Sequence, residues 1–460
     1  MKIIGIIAEY NPFHNGHAYQ IKKIKEDLQA DYVVVAMSGN FVQRGAPAII
    51  DKYARTEMAL SCGADLVIEL PVLWATASAE YFAMAGVTLF DKMGCVDGIC
   101  FGAETDDLDT LSQICDILVE EPKDYRQALS SYLKKGLSFP TARSKALYDY
   151  FTSGTHRNDG FKPDVIVSIL NEPNNILAIE YLKALRRRNS SITPYAIKRE
   201  GAGYHDETIR YPSSVSDITA LLTNHTAFDA GSSVPIISSC VPTASATAIR
   251  KELIEQFSAS YNPGKELSFD KLVSAMPHQA LAILQKYLDT NTLIFSNDFS
   301  HMLCYKLLCI DTNTLSAIGD SNPDLANRIS KNRAHFIKFE QYCEHCKSKD
   351  VTYTRLSRIF THLILNITDE DYTFGKAMDY IPYLRILGFR KDASSLLKEL
   401  KKHAHAPVIS KLADATMYLN NDAMQLLQKD IFAADLYTHI CTIKTERTYR
   451  NEFTKNIVIL

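Results

Sequence analysis

Strand-length apolar runs alternate with helix-patterned stretches through the first 110 residues, and this alternation constrains the fold more than any other feature of the chain. Lys2–Ala8 is a short apolar run. After a loop, Ala18, Ile21, Ile24 and Leu28 recur every three or four positions, the period of a helix with one buried face. Tyr32–Met37 is rich in β-branched residues and stops at Ser38-Gly39-Asn40, which reads as a second buried strand. Asp51–Cys62 is helical in pattern and ends at Gly63; Leu66–Leu70 and Gly98–Phe101 repeat the strand signal, with the helical Ser78–Met93 between them. Elements in this order bury their apolar faces only as parallel βαβ units, with helices on both faces of the sheet.

Residues 107–190 are mostly helical in pattern. A last α/β piece follows, with strands at Tyr195–Lys198 and Val234–Ser238 and a helix beginning near Ser245. Beyond about residue 255 the pattern shows no strand, only amphipathic stretches such as Lys271–Leu288, Arg355–Ile367 and Ala393–Lys402. Turn residues in Ser258–Lys265 mark a boundary. The expectation is a Rossmann-like, doubly wound parallel sheet over residues 1–257, followed by an all-helical domain over residues 258–460.

Composition narrows the function. A chain of 460 residues with 46% hydrophobic and 22% charged residues suits a folded globular protein, not a disordered one. The net charge of −3 provides no global positive field, so a polyanion would have to be held by a local patch. The ten cysteines lack the density of a secreted disulfide scaffold. The leading apolar stretch stops at Glu9, too short for a signal peptide core, and no run of about 18 apolar residues suggests a membrane span. These features point to a soluble protein of the cytoplasm.

The chemistry concentrates in Glu9-Tyr10-Asn11-Pro12-Phe13-His14-Asn15-Gly16-His17, between the first strand and the first helix. Ligands of open α/β sheets sit at the carboxyl ends of strands, where helix N-termini offer unpaired N–H groups and a partial positive charge to an anion. Gly16 allows close backbone approach, and His14 and His17, three apart on the first helical turn, can donate to the same phosphate. Phosphoryl chemistry needs such donors, because charge builds on a crowded phosphorus and on the leaving group.

His14–His17 resembles the HxGH signature of the nucleotidyltransferase superfamily, and the longer string resembles one branch of it, the bacterial tRNA(Met) cytidine acetate ligases. Supporting segments are SGNFVQRGAPAIIDKYARTEMALSCGADLVIELP (Ser38–Pro71), FGAET (Phe101–Thr105), LNEPNNILAIEYLKAL (Leu170–Leu185), IKREGAGYHD (Ile197–Asp206) and SATAIR (Ser245–Arg250). YTRLSRI (Tyr353–Ile359) and YLRILGF (Tyr383–Phe389) extend the likeness into the second half. Two residues depart from the family pattern: Ala46 stands where glutamate is common, and Gln20 where histidine is common.

The resemblance implies an enzyme that forms acetyl-adenylate from ATP and acetate and then acetylates N4 of the wobble cytidine of elongator tRNA(Met). It implies that Ile7, Ala8, Glu9, Tyr10, Asn11, Pro12, Phe13, His14, Asn15, Gly16, His17, Ala18, Tyr19 and Gln20 form the ATP cradle, with His14 and His17 catalytic. Gly102, Asn174 and Arg199 add contacts from other strand ends, Gly102 at a turn; Asn175 is chemically an equal candidate to Asn174. Ser245, Thr247 and Arg250 resemble a second superfamily signature, with hydroxyls that cap a helix and an arginine suited to pyrophosphate. Magnesium is expected to accompany ATP. Lys52 and Arg55 share a helical face, where they either reach the phosphates or acetate or are simply solvated.

Cys343 and Cys346 form a lone CxxC, short of the four ligands of a structural zinc, and no zinc is expected. From Arg328 to Arg358, eight basic residues face three acids, with Phe336, Tyr342 and Tyr353 interleaved. Such a stripe can track an RNA backbone and stack bases, and Arg355 and Arg358 are the expected tRNA contacts. Two other readings compete: a nucleotidyltransferase acting on a small metabolite phosphate, and a non-catalytic tRNA-binding protein.

Overall fold

The computed structural model describes residues 1–152, 163–199, 244–259 and 269–460. The expected strand at Val234–Ser238, residues 200–206 of the IKREGAGYHD segment and most of the Ser258–Lys265 boundary lie outside the described residues.

Strands β1 (Ile3–Ala8), β2 (Tyr32–Ser38), the two-residue β3 (Phe41–Val42) and β4 (Ala46–Pro47), β5 (Leu66–Leu70), β6 (Gly98–Ala103) and β7 (Thr193–Lys198) fall where the pattern placed strands, apart from the β3–β4 hairpin. The helices between them are α1 (Asn15–Glu26), α2 (Lys52–Ser61), the short α3 (Val72–Ala75) and α4 (Ala79–Met93). The crossover from β6 to β7 holds α5 (Leu108–Glu120), α6 (Lys123–Lys134), α7 (Phe139–Thr152), α8 (Pro163–Asn171) and α9 (Pro173–Arg188). The sheet order β5-β2-β1-β6-β7 is parallel throughout. The chain winds outward through β2 and β5, then returns to start β6 on the other side of β1, so the switch point falls between β1 and β6. Along β2, Val33, Val35 and Met37 enter one core, and Val34 and Ala36 the other, as expected of a sheet covered on both faces.

The second half is mainly helical, but it is not all-helical. β8 (Leu384–Phe389) lies antiparallel beside β5, and its outer edge pairs with β9 (Val408–Ile409) and β10 (Val458–Ile459) at different positions. The sheet is thus continuous across the expected boundary. LRILGF misled because a six-residue apolar run fits a buried helix as well as a strand. The expected helix Lys271–Leu288 is likewise two helices, Asp270–Val273 and His278–Thr290, divided just before His278 by Pro277.

A candidate active site at the β1–β6 switch point

The loop after β1 ends at His14, which is the N-cap of α1. Nδ1 of His14 accepts the Gly16 N–H at 3.1 Å, while Nδ1 of His17 accepts the N–H of His14 at 3.2 Å. The rings stack with centroids 3.7 Å apart. This reciprocal cap fixes the chemistry of both histidines. Each Nδ1 is an acceptor, so the proton of each neutral imidazole sits on Nε2, on the far edge of the ring from the helix backbone. Gly16 also has a packing reason, since a Cβ there would lie 3.0 Å from Cε1 of His14.

The surroundings keep both rings uncharged. Burial, together with the positive charges of Arg199 and Arg250, lowers His14 to about 3. His17 is pulled well below its ordinary value by burial, then by His14 and Arg199. Arg250 donates to the Asn11 carbonyl at 2.7 Å and to Oγ1 of Thr247 at 3.0 Å, and Oγ of Ser245 accepts the Ala248 N–H at 3.0 Å. Residues more than 200 positions apart therefore meet at one loop. Two guanidinium groups and two neutral N–H donors suit an anion, and a phosphate in particular.

The rest of the expected cradle divides in two. Tyr10, Phe13 and Ala18 are buried in the core, the first two against the His17 ring. Asn11 and Asn15 are also buried: Asn11 Oδ1 accepts the Ile49 N–H, and Asn15 donates to Ser274 and Ala275 carbonyls. Ile7, Ala8, Glu9, Gly16, His17, Tyr19 and Gln20 are half-buried, while Pro12 is buried. Gln20 donates to the Cys100 carbonyl at 3.1 Å, which ties α1 to β6.

Gly102 lies inside β6, not at a turn; a Cβ there would sit 3.4 Å from the Arg199 side chain. The neighbouring asparagines differ in what their side chains engage. Asn175 is buried, and its Oδ1 accepts the N–H groups of Glu104 and Thr105 at 2.9 and 3.2 Å. Asn174 is half-buried, donates to Glu104 at 2.5 Å and accepts from Arg199 at 3.4 Å. Glu104 orients both asparagines and was not singled out in the sequence, although it stands within FGAET.

Lys52 and Arg55 are not solvated; both are fully buried. Lys52 pairs with Glu69 at 2.7 Å and Glu452 at 2.6 Å, and Arg385 reaches the same two carboxylates at 2.9 and 2.6 Å. Burial alone would raise Glu452, but Lys52 and Arg385 outweigh it and hold the carboxyl far down. Arg55 donates to the carbonyls of Glu9, Ser38, Gly39 and Ile50, clamping the loop that carries the histidines.

In the second half, Tyr342 is buried and donates to the Ile329 carbonyl, so it belongs to the core and not to a stacking surface. Cys343 and Cys346 are buried in the helix Phe339–Cys346. Nε of Arg355 donates to the Asp320 carbonyl at 3.0 Å, and Nε of Arg358 to the Asp320 carboxylate. On the helix Tyr353–Leu365 that carries them, Ser357 and Thr361 both donate to the Gly45 carbonyl. Gly45 has φ +71°, and a Cβ there would lie 2.3 Å from the Arg358 backbone nitrogen. The VQRGAP and YTRLSRI strings are therefore two sides of one joint.

A reciprocal histidine cap at the switch point of a doubly wound sheet defines a class, the nucleotidyltransferases. The family model described as HIGH Nucleotidyl Transferase matches residues 1–243 and 237–452, nearly the whole chain. A protein of Acetivibrio thermocellus is 37% identical over 461 residues, covering all of both chains, and one of Thermoanaerobacter sp. (strain X514) is 39% identical over 439 residues, 95% of each. Both are named tRNA(Met) cytidine acetate ligase, and this chain belongs with them to that family. The crystal structure of Thermotoga maritima TmcAL in its apo form I aligns over 100% of both chains with a TM-score of 0.84 at 28% identity. The same protein bound with alpha-thio ATP aligns with a TM-score of 0.83 at 27% identity. Among the described residues, no helix is long and apolar enough to cross a membrane.

Proposed function

We propose that this protein is an ATP-dependent ligase of the cytoplasm that joins acetate to the wobble cytidine of elongator tRNA(Met) in two steps. A carboxylate oxygen of acetate attacks the α-phosphorus of ATP while the bond to pyrophosphate breaks, giving acetyl-adenylate. The N4 amine of the cytidine then attacks the acetyl carbon, and AMP leaves. The observation that carries this reading is the paired histidine cap beside Arg199 and Arg250, in a chain related over its full length to ligases of that name.

His14 and His17 donate from Nε2 to the α-phosphate oxygens as charge builds, without themselves exchanging protons. Arg250, with Ser245 and Thr247, receives the departing pyrophosphate, and Arg199 with Asn174 holds the nucleotide above Gly102. Asn174 takes this role because the Asn175 side chain is already engaged by the Glu104–Thr105 backbone. Magnesium would arrive on the phosphate oxygens of ATP. The nearby Glu104 carboxylate is engaged with Asn174 and Asn175, and no group of three metal-ligating side chains lies among the described residues.

We assign ATP chemistry to residues 1–257 and the RNA chiefly to 258–460, where the outer nitrogens of Arg355 and Arg358 make no hydrogen bond among the described residues. The test is acetate-driven exchange of labelled pyrophosphate into ATP. Loss of one preorganised donor costs about 2.7–4 kcal/mol, so His17→Ala is expected to slow exchange about 10²–10³-fold. A folded His17→Ala protein that exchanges at the wild-type rate would overturn the assignment.

A further inference from the structure

We propose that α6 is a second contact surface for the tRNA phosphate backbone, carried by the catalytic half of the molecule. The proposal rests on the reading that tRNA is a substrate. Lys123, Arg126, Ser130, Ser131 and Lys134 lie three, four, one and three positions apart, which places them on one stripe over three helical turns, and Lys135 follows at its end. All six are exposed and line one shallow groove. None of the four cations makes an ion pair among the described residues; Lys135 lies 5.3 Å from the Tyr132 ring. Asp124, in the first turn, is the one acid on the helix. The protein has 53 acidic residues with which to neutralise its 50 basic ones, yet this stripe is left unmatched.

Such a stripe repels itself in the free protein and gains when a polyanion displaces its counterions. Serine hydroxyls among the cations add donors of the kind that phosphates take. The stripe contains no large apolar side chain, which a membrane-bound helix would require. The opposite face is anchored, with Tyr125 buried and α7 packed alongside. Position favours the same partner. α6 and α7 are inserted in the crossover between β6, which carries Gly102, and β7, which is followed by Arg199, and α9 starts beside Glu104 through Asn174 and Asn175.

The experiment compares the wild-type chain with a Lys123→Gln/Arg126→Gln/Lys134→Gln variant, using an elongator tRNA(Met) transcript. Binding is titrated at several salt concentrations, with tRNA acetylation and acetate-driven pyrophosphate exchange measured on the same preparations. The variant is expected to exchange pyrophosphate as wild type does and to lose about 2–3 units of log–log salt slope, at roughly 0.7–0.9 per phosphate contact. Its KM for tRNA should rise at least about ten-fold, with kcat at saturating tRNA kept. An unchanged slope and KM, while wild type acetylates the transcript, overturns the role of α6 and leaves the proposed function standing. A wild-type protein that exchanges pyrophosphate but neither binds nor acetylates the transcript overturns both.

Discussion

Replacing His14 with asparagine separates two roles that one side chain combines. Asparagine ranks among the best N-cap residues, so His14→Asn retains an acceptor for the amide at the start of α1 and removes only the titrating ring. In the folded protein His14 is lowered to about 3, against about 6.5 unfolded. Because the folded value is the lower one, the unfolded state binds more protons below about pH 6.5. Stability is full above that pH and falls as the pH drops toward 3. Between pH 7.5 and 5.0 the linkage relation gives a loss of about 2 kcal/mol from this ring alone. Urea unfolding of both proteins at the two pH values isolates the share of this ring, since the carboxylates contribute alike to wild type and variant, and burial, the largest cause, lowers His17 in both. His14→Asn is expected to lose about 2 kcal/mol less than wild type on acidification and to exchange pyrophosphate far more slowly at either pH. Equal losses in the two proteins would show that His14 titrates normally and is not held neutral by its surroundings.

Asn175→Ala leaves the Glu104 and Thr105 amides without their acceptor and should lower stability by about 1–3 kcal/mol. Asn174→Ala should keep the wild-type melting point and raise KM for ATP by about three- to ten-fold, measured in the exchange assay; the reverse pattern would exchange the two roles. Glu452→Gln leaves Lys52 and Arg385 buried with Glu69 alone and should cost about 3–5 kcal/mol by denaturant titration. A loss below about 1 kcal/mol would mean that the cluster repacks or admits water.

The N-terminal half was legible because its signals are local. KIIGIIA and YVVVAM state their burial through composition, and the glycine and histidines of His14–His17 stand within a single helical turn. What stayed hidden depends on partners distant in the chain. Nothing near Lys52 announces that its carboxylates are Glu69 and Glu452, so a helix face carrying Lys52 and Arg55 looked solvated or ligand-facing. The basic stretch from Arg328 to Arg358 likewise shows its partners only in the packed chain. Charge can be counted from sequence, but Arg328 and Arg333 donate to backbone carbonyls at Lys347 and Ile310, which only the packed chain brings within reach. β8 escaped because a strand is defined by its neighbour, and its neighbour, β5, lies more than 300 residues earlier.

Synthesis runs from the amino end, and that direction gives the buried charge cluster a further meaning. Tyr53 and its acceptor Glu452 are 399 residues apart, so the N-terminal half emerges from the ribosome long before the carboxylate that completes its interior exists. Until then Lys52 lacks one of its two counter-charges, and β8 lacks the β10 strand on its outer edge. A polypeptide cut short by a nonsense codon or a stalled ribosome would carry an intact HxGH loop above an unfinished foundation. Residues 452–459 thus complete a foundation whose HxGH loop was made first: the second counter-charge of Lys52 and the pairing of β10 with β8 both wait on them.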